Sequence, residues 1–121
     1  MNETWYSLSD FQYNSLNNIF SRAVIPADSP WFSGHFPGEP IVPGIAELSI
    51  VYDVIKRYYQ ENGSSIKIIS IKRVRFRYTL KPDEILEIKI LKVIDSADSY
   101  KFEIMSVNGS ACSGLISIKE N

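Results

Sequence analysis

The sequence predicts an α+β domain in which an antiparallel sheet wraps around one long central helix. Three observations predict it. The stretch GIAELSIVYDVIKRYYQENG, starting at Gly44, places Ile45, Leu48, Tyr52, Ile55 and Tyr59 at helical spacing. Ala46, Ile50, Val51, Val54 and Tyr58 make its other faces apolar too, and a helix apolar on most sides is buried within a domain or a dimer. Four segments rich in β-branched and aromatic residues then follow, separated by turn signals. The length of 121 residues allows one compact domain over 1–121 and is too short for two.

Taken in order, residues 1–16 (MNETWYSLSDFQYNSL) are polar with scattered aromatics and show no clear period. Residues 18–25, NIFSRAVI, read as a first strand ended by Pro26. Residues 26–43 form a long loop that holds five of the six prolines, the sixth being Pro82. A compact domain rarely keeps such a loop without a role for it. The helix begins at Gly44; Lys56, Arg57, Gln60 and Glu61 make its far end polar, and Gly63 is its stop. Strand-like runs cover 65–80, 85–94, 100–107 and 110–119. Lys81-Pro82-Asp83-Glu84 and DSADS serve as turns, and Asn108-Gly109 is a hairpin signal. The simplest arrangement of these four strands is a meander packed on the helix.

Composition narrows the functional classes. Apolar residues make up 45% and charged residues 22%, which is globular rather than disordered. The 13 basic and 14 acidic residues nearly cancel to −1, so charge makes no case for nucleic acid or an anionic membrane. The single cysteine, Cys112, forms no internal disulfide and cannot build a multi-cysteine metal site. In its strand Cys112 reads as a buried, inert thiol. No apolar run is long enough to span a bilayer and the N-terminus lacks the pattern of a signal peptide, so the expectation is a cytoplasmic protein without membrane insertion.

The chemistry concentrates in SGHFPGEPIVPG, residues 33–44, which contains the only histidine, His35. Prolines restrict φ and glycines open otherwise forbidden angles, so this segment can hold a fixed, irregular path. It leads directly into the helix N-terminus, with its unpaired N–H groups and partial positive charge. Gly44 lets a ligand oxygen come close to its N–H. A neutral imidazole beside such a donor suits removal of a proton next to a carbonyl, with the N–H stabilising charge that grows on oxygen. A histidine holding a purely structural hydrogen bond in a tight loop is the plainer reading of the same residues.

GHFPGEPIVPG resembles the active-site segment of the hot-dog-fold 3-hydroxyacyl-[acyl-carrier-protein] dehydratases, at Gly34, His35, Phe36, Pro37, Pro40, Pro43 and Gly44. RVRFRYTLKPDEILEIKI and NGSACSGLISIK are similar to that family's core strands, and PGIAEL looks most like its small aryl-polyene-type branch. The resemblance implies that His35 removes the C2 proton of a 3-hydroxyacyl thioester while the Gly44 N–H polarises its carbonyl. Phe36, Pro43 and Ser49 would contact substrate. It further implies a homodimer, or a higher oligomer of dimers, with sites at the subunit interface. No metal or other cofactor is implied, and the substrate rides on the phosphopantetheine of acyl carrier protein.

One position departs from that pattern. The family's acid lies fourteen residues after the histidine, and here that position is Ser49, whose hydroxyl is far too weak an acid. Asp53 shares its helix face one turn on and is the candidate replacement; Glu47 lies on another face and reads as a residue favouring the helix dipole. Arg73, Arg75 and Arg77 alternate opposite Val74 and Phe76, either as a solvated outer face or as a docking strip for an acidic carrier protein. Trp31, Phe32 and Phe36 either pack the loop on the helix or line an acyl tunnel, while Tyr52, Tyr58 and Tyr59 read as core or interface. Ser49 keeps two alternatives open: thioester hydrolysis on the same fold, or a non-catalytic domain that binds acyl chains or a carrier protein.

Overall fold

The structure is a computed structural model and describes residues 5–32 and 41–121. In chain order it forms β1 (Ser7–Tyr13), β2 (Ile19–Val24), a single 3-10 turn at Pro30–Phe32, α1 (Gly44–Glu61), β3 (Ile66–Phe76), β4 (Ile85–Lys92), β5 (Ser99–Ser106) and β6 (Gly109–Glu120). The six strands make one sheet in the order β1-β2-β4-β5-β6-β3, and every neighbouring pair is antiparallel. A single helix against one antiparallel sheet is the hot-dog arrangement.

The four-strand meander expected from the sequence is not what forms. Strands β4, β5 and β6 do follow one another, but β3 pairs with β6 instead of β4. The physical reason lies in residues 77–84, which are too long for a tight hairpin and are tied elsewhere. Val42 N–H donates to the Leu80 carbonyl at 2.9 Å, and Asp83 N–H donates to the Ile25 carbonyl at 2.8 Å. Leu80 is fully buried, so this link is fastened into the core. Pinning Asp83 to the end of β2 starts β4 beside β2, which leaves β3 at the opposite edge. The same link ends β3 at Phe76, short of the run to Leu80 read from sequence.

The helix starts after Pro43, which is extended at φ −70° and ψ 150° and whose hydrocarbon ring has no atom that could cap it. It ends at Glu61, and just past its cap Gly63 takes a φ of +82° that suits glycine, with Ser64 N–H donating to the Tyr59 carbonyl at 2.8 Å. Its buried face runs through Ala46, Glu47, Ile50, Val51, Val54 and Ile55. Opposite stand Ile88, Ile90, Phe102, Ile104, Ile116 and Ile118, the inward residues of three alternating strands. Three tyrosines on the helix anchor it by their polar ends. Tyr52 donates to the Ile66 carbonyl at 3.1 Å, Tyr58 to Asn17 Oδ1 at 2.7 Å, and the Tyr59 and Tyr100 hydroxyls meet at 2.7 Å. All three are half-buried and packed against the core, and each satisfies its hydroxyl there. No helix among the described residues is long and apolar enough to cross a membrane.

Candidate active site at the helix N-terminus

His35 and Phe36 lie outside the described residues. The description resumes at Ile41 and leads through Pro43 into the first helical turn. The Pro43 carbonyl accepts from Ala46 N–H at 3.0 Å and from Glu47 N–H at 3.4 Å. The N–H groups of Gly44 and Ile45 have no partner among the described residues, as is usual for the first donors of a helix. Gly44 also has a packing reason. A Cβ there would lie 2.8 Å from Cζ of Phe76, so the ring of Phe76 occupies the space that any side chain would need.

Ser49 and Asp53 fall in one groove, one helical turn apart, between the outer side of α1 and the edge strand β3. Tyr6, Leu48 and Ile71 help to line it, and its volume is about 350 Å³. Burial raises the Asp53 carboxyl above its ordinary pKa, and Lys56 partly offsets that rise. This side of the helix is not covered by the sheet: Ile45 is 67% exposed, and Ile68 and Ile69 are open on β3.

The sequence reading missed Glu47. Instead of sitting at the surface to complement the dipole, its side chain is 3% exposed. Its Oε1 is buried without a hydrogen-bond partner among the described residues. Desolvation pushes its pKa from the usual 4.5 up to about 7, and the Cys112 thiol against it lowers it only in part. Cys112 is itself fully buried and pushed up to about 12, by burial first and then by Glu47. It is thus the inert thiol expected. No signal in one sequence separates a buried helix carboxyl from a surface one, because both occupy the same kind of position on a helical wheel.

The Glu47 shift has a consequence for stability. In the folded state the carboxyl holds its proton to about pH 7, whereas unfolded it releases it near 4.5. Between these values the folded state binds more protons, so the stability present below the lower value is lost as pH rises to the upper one. Glu47→Gln removes this loss. In urea unfolding its free energy is expected to gain on the wild type from about pH 5 to about pH 7 and to run parallel above. A pH-independent difference would mean that Glu47 titrates ordinarily.

Arg73, Arg75 and Arg77 converge on Ser113 at the outer face of the sheet. Arg75 is its cross-strand partner, and Arg77 donates to its hydroxyl at 2.9 Å. Arg73 borders the same hollow of about 870 Å³, with Lys89, Lys101 and Leu115. Simple alternation does not bring them together: a bulge between Lys72 and Arg75 puts Arg73 at φ +55°. Val74 packs toward the core and Phe76 toward Gly44, as the alternation implied. Among the described residues no group of three His, Cys, Asp or Glu side chains gathers in the manner of a metal site.

Comparison with known proteins follows this geometry. A curated relative, the 3-hydroxyacyl-[acyl-carrier-protein] dehydratase FabZ of Caulobacter vibrioides, is 27% identical over 97 residues, covering 74% of this chain and 61% of the relative. The FabZ of Chlamydia trachomatis serovar L2 is 31% identical over 78 residues, 60% of this chain and 51% of the relative. The chain thus spans about three fifths or less of the length of these curated relatives. Among solved structures, the dehydratase heterocomplex ApeI:P from Xenorhabdus doucetiae matches with a TM-score of 0.74 at 23% identity, over 93% of this chain and 96% of that one. A hypothetical thioesterase with coenzyme A from Streptococcus pneumoniae matches with a TM-score of 0.69 at 10% identity, over 96% and 88%. At these identities the structural likeness carries the fold alone. The family model described as ApeI-like, ApeI dehydratase, matches residues 12–115, and the chain belongs to that family.

Proposed function

We propose that this protein dehydrates 3-hydroxyacyl thioesters, carried on the phosphopantetheine of acyl carrier protein, to trans-2-enoyl thioesters in the cytoplasm. The observation that carries the reading is the N–H of Gly44, without a partner among the described residues, at the tip of a buried helix directly after the segment that holds His35. Membership of a dehydratase family and the names of the FabZ relatives support it. In this reading His35 takes the C2 proton as negative charge grows on the thioester oxygen. That oxygen sits on the Gly44 N–H, within the positive end of the helix. A carboxylic acid then protonates the departing hydroxyl. Pro43 shapes the entry, Phe36 and Ser49 contact substrate, and the arginines around Ser113 receive the acidic carrier protein. The steps are proton transfers and a C–O cleavage, chemistry that side chains and a backbone amide can supply without a metal or redox cofactor.

The working form in this proposal is a homodimer. β3 is an edge strand, and such an edge presents unpaired backbone groups. Beside it lies the apolar groove with Ile45 and Ile68 open to solvent.

Incubating the protein with a 3-hydroxyacyl carrier-protein thioester is expected to raise the ultraviolet absorbance of the conjugated enoyl thioester. Ser49 in the acid position favours one rival, hydrolysis, since the base can then act on water instead of the C2–H. Free thiol released without enoyl product would select that rival, and tight binding with no turnover would select a non-catalytic domain.

A further inference from the structure

We infer that Glu47 is the proton donor to the departing hydroxyl, doing what Ser49 cannot. The inference rests on the dehydratase reading above and names its missing acid.

Two independent lines place the carboxyl beside the first helical turn. Glu47 lies three residues after Gly44, on the same helix face, and helical side chains lean toward the N-terminus. It therefore reaches back over the turn that starts at Gly44. Separately, the Cys112 thiol lies against the carboxyl, Cys112 pairs across strands with Phe76, and the ring of Phe76 sits on Gly44. Helix geometry and sheet register thus converge on one spot.

Reach decides between the two helix carboxyls. The hydroxyl of a 3-hydroxyacyl thioester is on the second carbon from its carbonyl, so an oxygen held by Gly44 N–H keeps the hydroxyl within a few ångströms of that amide. Along the axis Glu47 is about 4.5 Å from Gly44 and Asp53 about 13.5 Å, at 1.5 Å per residue.

The state of Glu47 also fits. A buried oxygen with no partner among the described residues is costly, and such orphans are few in native proteins. A partner that arrives with the substrate accounts for one here. The titratable or charged groups facing it are Cys112 of β6, which keeps its proton to about 12, and Arg77 just beyond that thiol. Neither takes the Glu47 proton near neutral pH, so the acid has a proton to give.

The step balances. The base removes the C2 proton, the freed electron pair forms the C2–C3 double bond, and the C3–O bond breaks. The leaving oxygen takes the Glu47 proton and departs as water. The protonated base then returns its proton, through solvent, to the Glu47 carboxylate.

The test is turnover of a 3-hydroxyacyl carrier-protein thioester by wild type, Glu47→Gln and Asp53→Asn, from about pH 6 to 9, read by enoyl absorbance with folding checked by circular dichroism. Folded Glu47→Gln is expected to lose about 100-fold or more, and the wild-type decline above about pH 7 is expected to vanish from its residual activity. Glu47→Gln at the wild-type rate with an unchanged pH profile overturns the inference, and so does a collapse confined to Asp53→Asn. Both outcomes leave wild-type dehydration standing. If the wild type itself forms no enoyl thioester, the dehydratase reading fails first and this one with it.

Discussion

His35→Ala is expected to lower the rate of enoyl thioester formation by about 10²- to 10⁴-fold while leaving the unfolding transition within experimental error of the wild type. The size follows from what the step needs. A base working near neutral pH must be mostly unprotonated yet basic enough to take a carbon-bound proton. Imidazole is the side chain whose ordinary pKa meets both demands. The chain has one histidine, so no second imidazole can substitute. The amide at Gly44 would still polarise the carbonyl, which is why residual activity above the solution rate is expected. Adding free imidazole should restore part of the loss if the missing group is a base. A His35→Ala variant that dehydrates at the wild-type rate takes the histidine out of the mechanism. A variant inactive only because it is unfolded would show that loss in circular dichroism.

Ile50→Ala is expected to cost about 2–5 kcal/mol of unfolding free energy. Ile50 is fully buried on the helix face that meets the sheet, between Ala46 and Val54 one turn either way. Truncation removes transfer energy and leaves a cavity that the flanking strands, locked by their ladders, cannot close. Against a domain stability of about 5–15 kcal/mol this is a large share. Val107→Ala is the natural comparison, since Val107 is 90% exposed in a turn. That change should stay within about 0.5 kcal/mol. Urea unfolding at one pH measures both, and a small effect at Ile50 would mean that the helix is not packed as described. The Gln variant at Glu47 adds an independent check, because its stability gain depends on pH while that of a cavity does not.

The parts of the fold that were legible are those where local chemistry and burial agree. The Gly44–Glu61 helix shows through because its apolar spacing, Pro43 at its entry and Gly63 after its end all say the same thing. Strands β4, β5 and β6 alternate buried and open residues, and Asn108-Gly109 makes the turn with φ +108° at the glycine. Strand β1 did not show. Its side chains are mostly exposed, it pairs only with β2, and a bulge between Ser9 and Gln12 breaks its period. An edge strand that turns only Leu8 and Phe11 toward the core leaves little trace in side-chain pattern. The placement of β3 beside β6 was equally hidden, since it depends on the ties made by Val42 and Asp83 across the chain.

The site divides in the same way. His35, Gly44 and the absence of a carboxyl at position 49 are matters of residue identity, so the order of amino acids alone determined them, along with the helix, the α+β class and the family likeness. Burial is a property of what other segments lay on top. Whether Glu47 is wet or dry, whether Phe76 fills the notch at Gly44, and whether three arginines meet at Ser113 depend on where β3 and β6 cross the helix and on one bulge. The side chains that surround Glu47 belong to distant segments, and the Cys112 thiol against its carboxyl is sixty-five positions away. Only the tertiary structure brings them there.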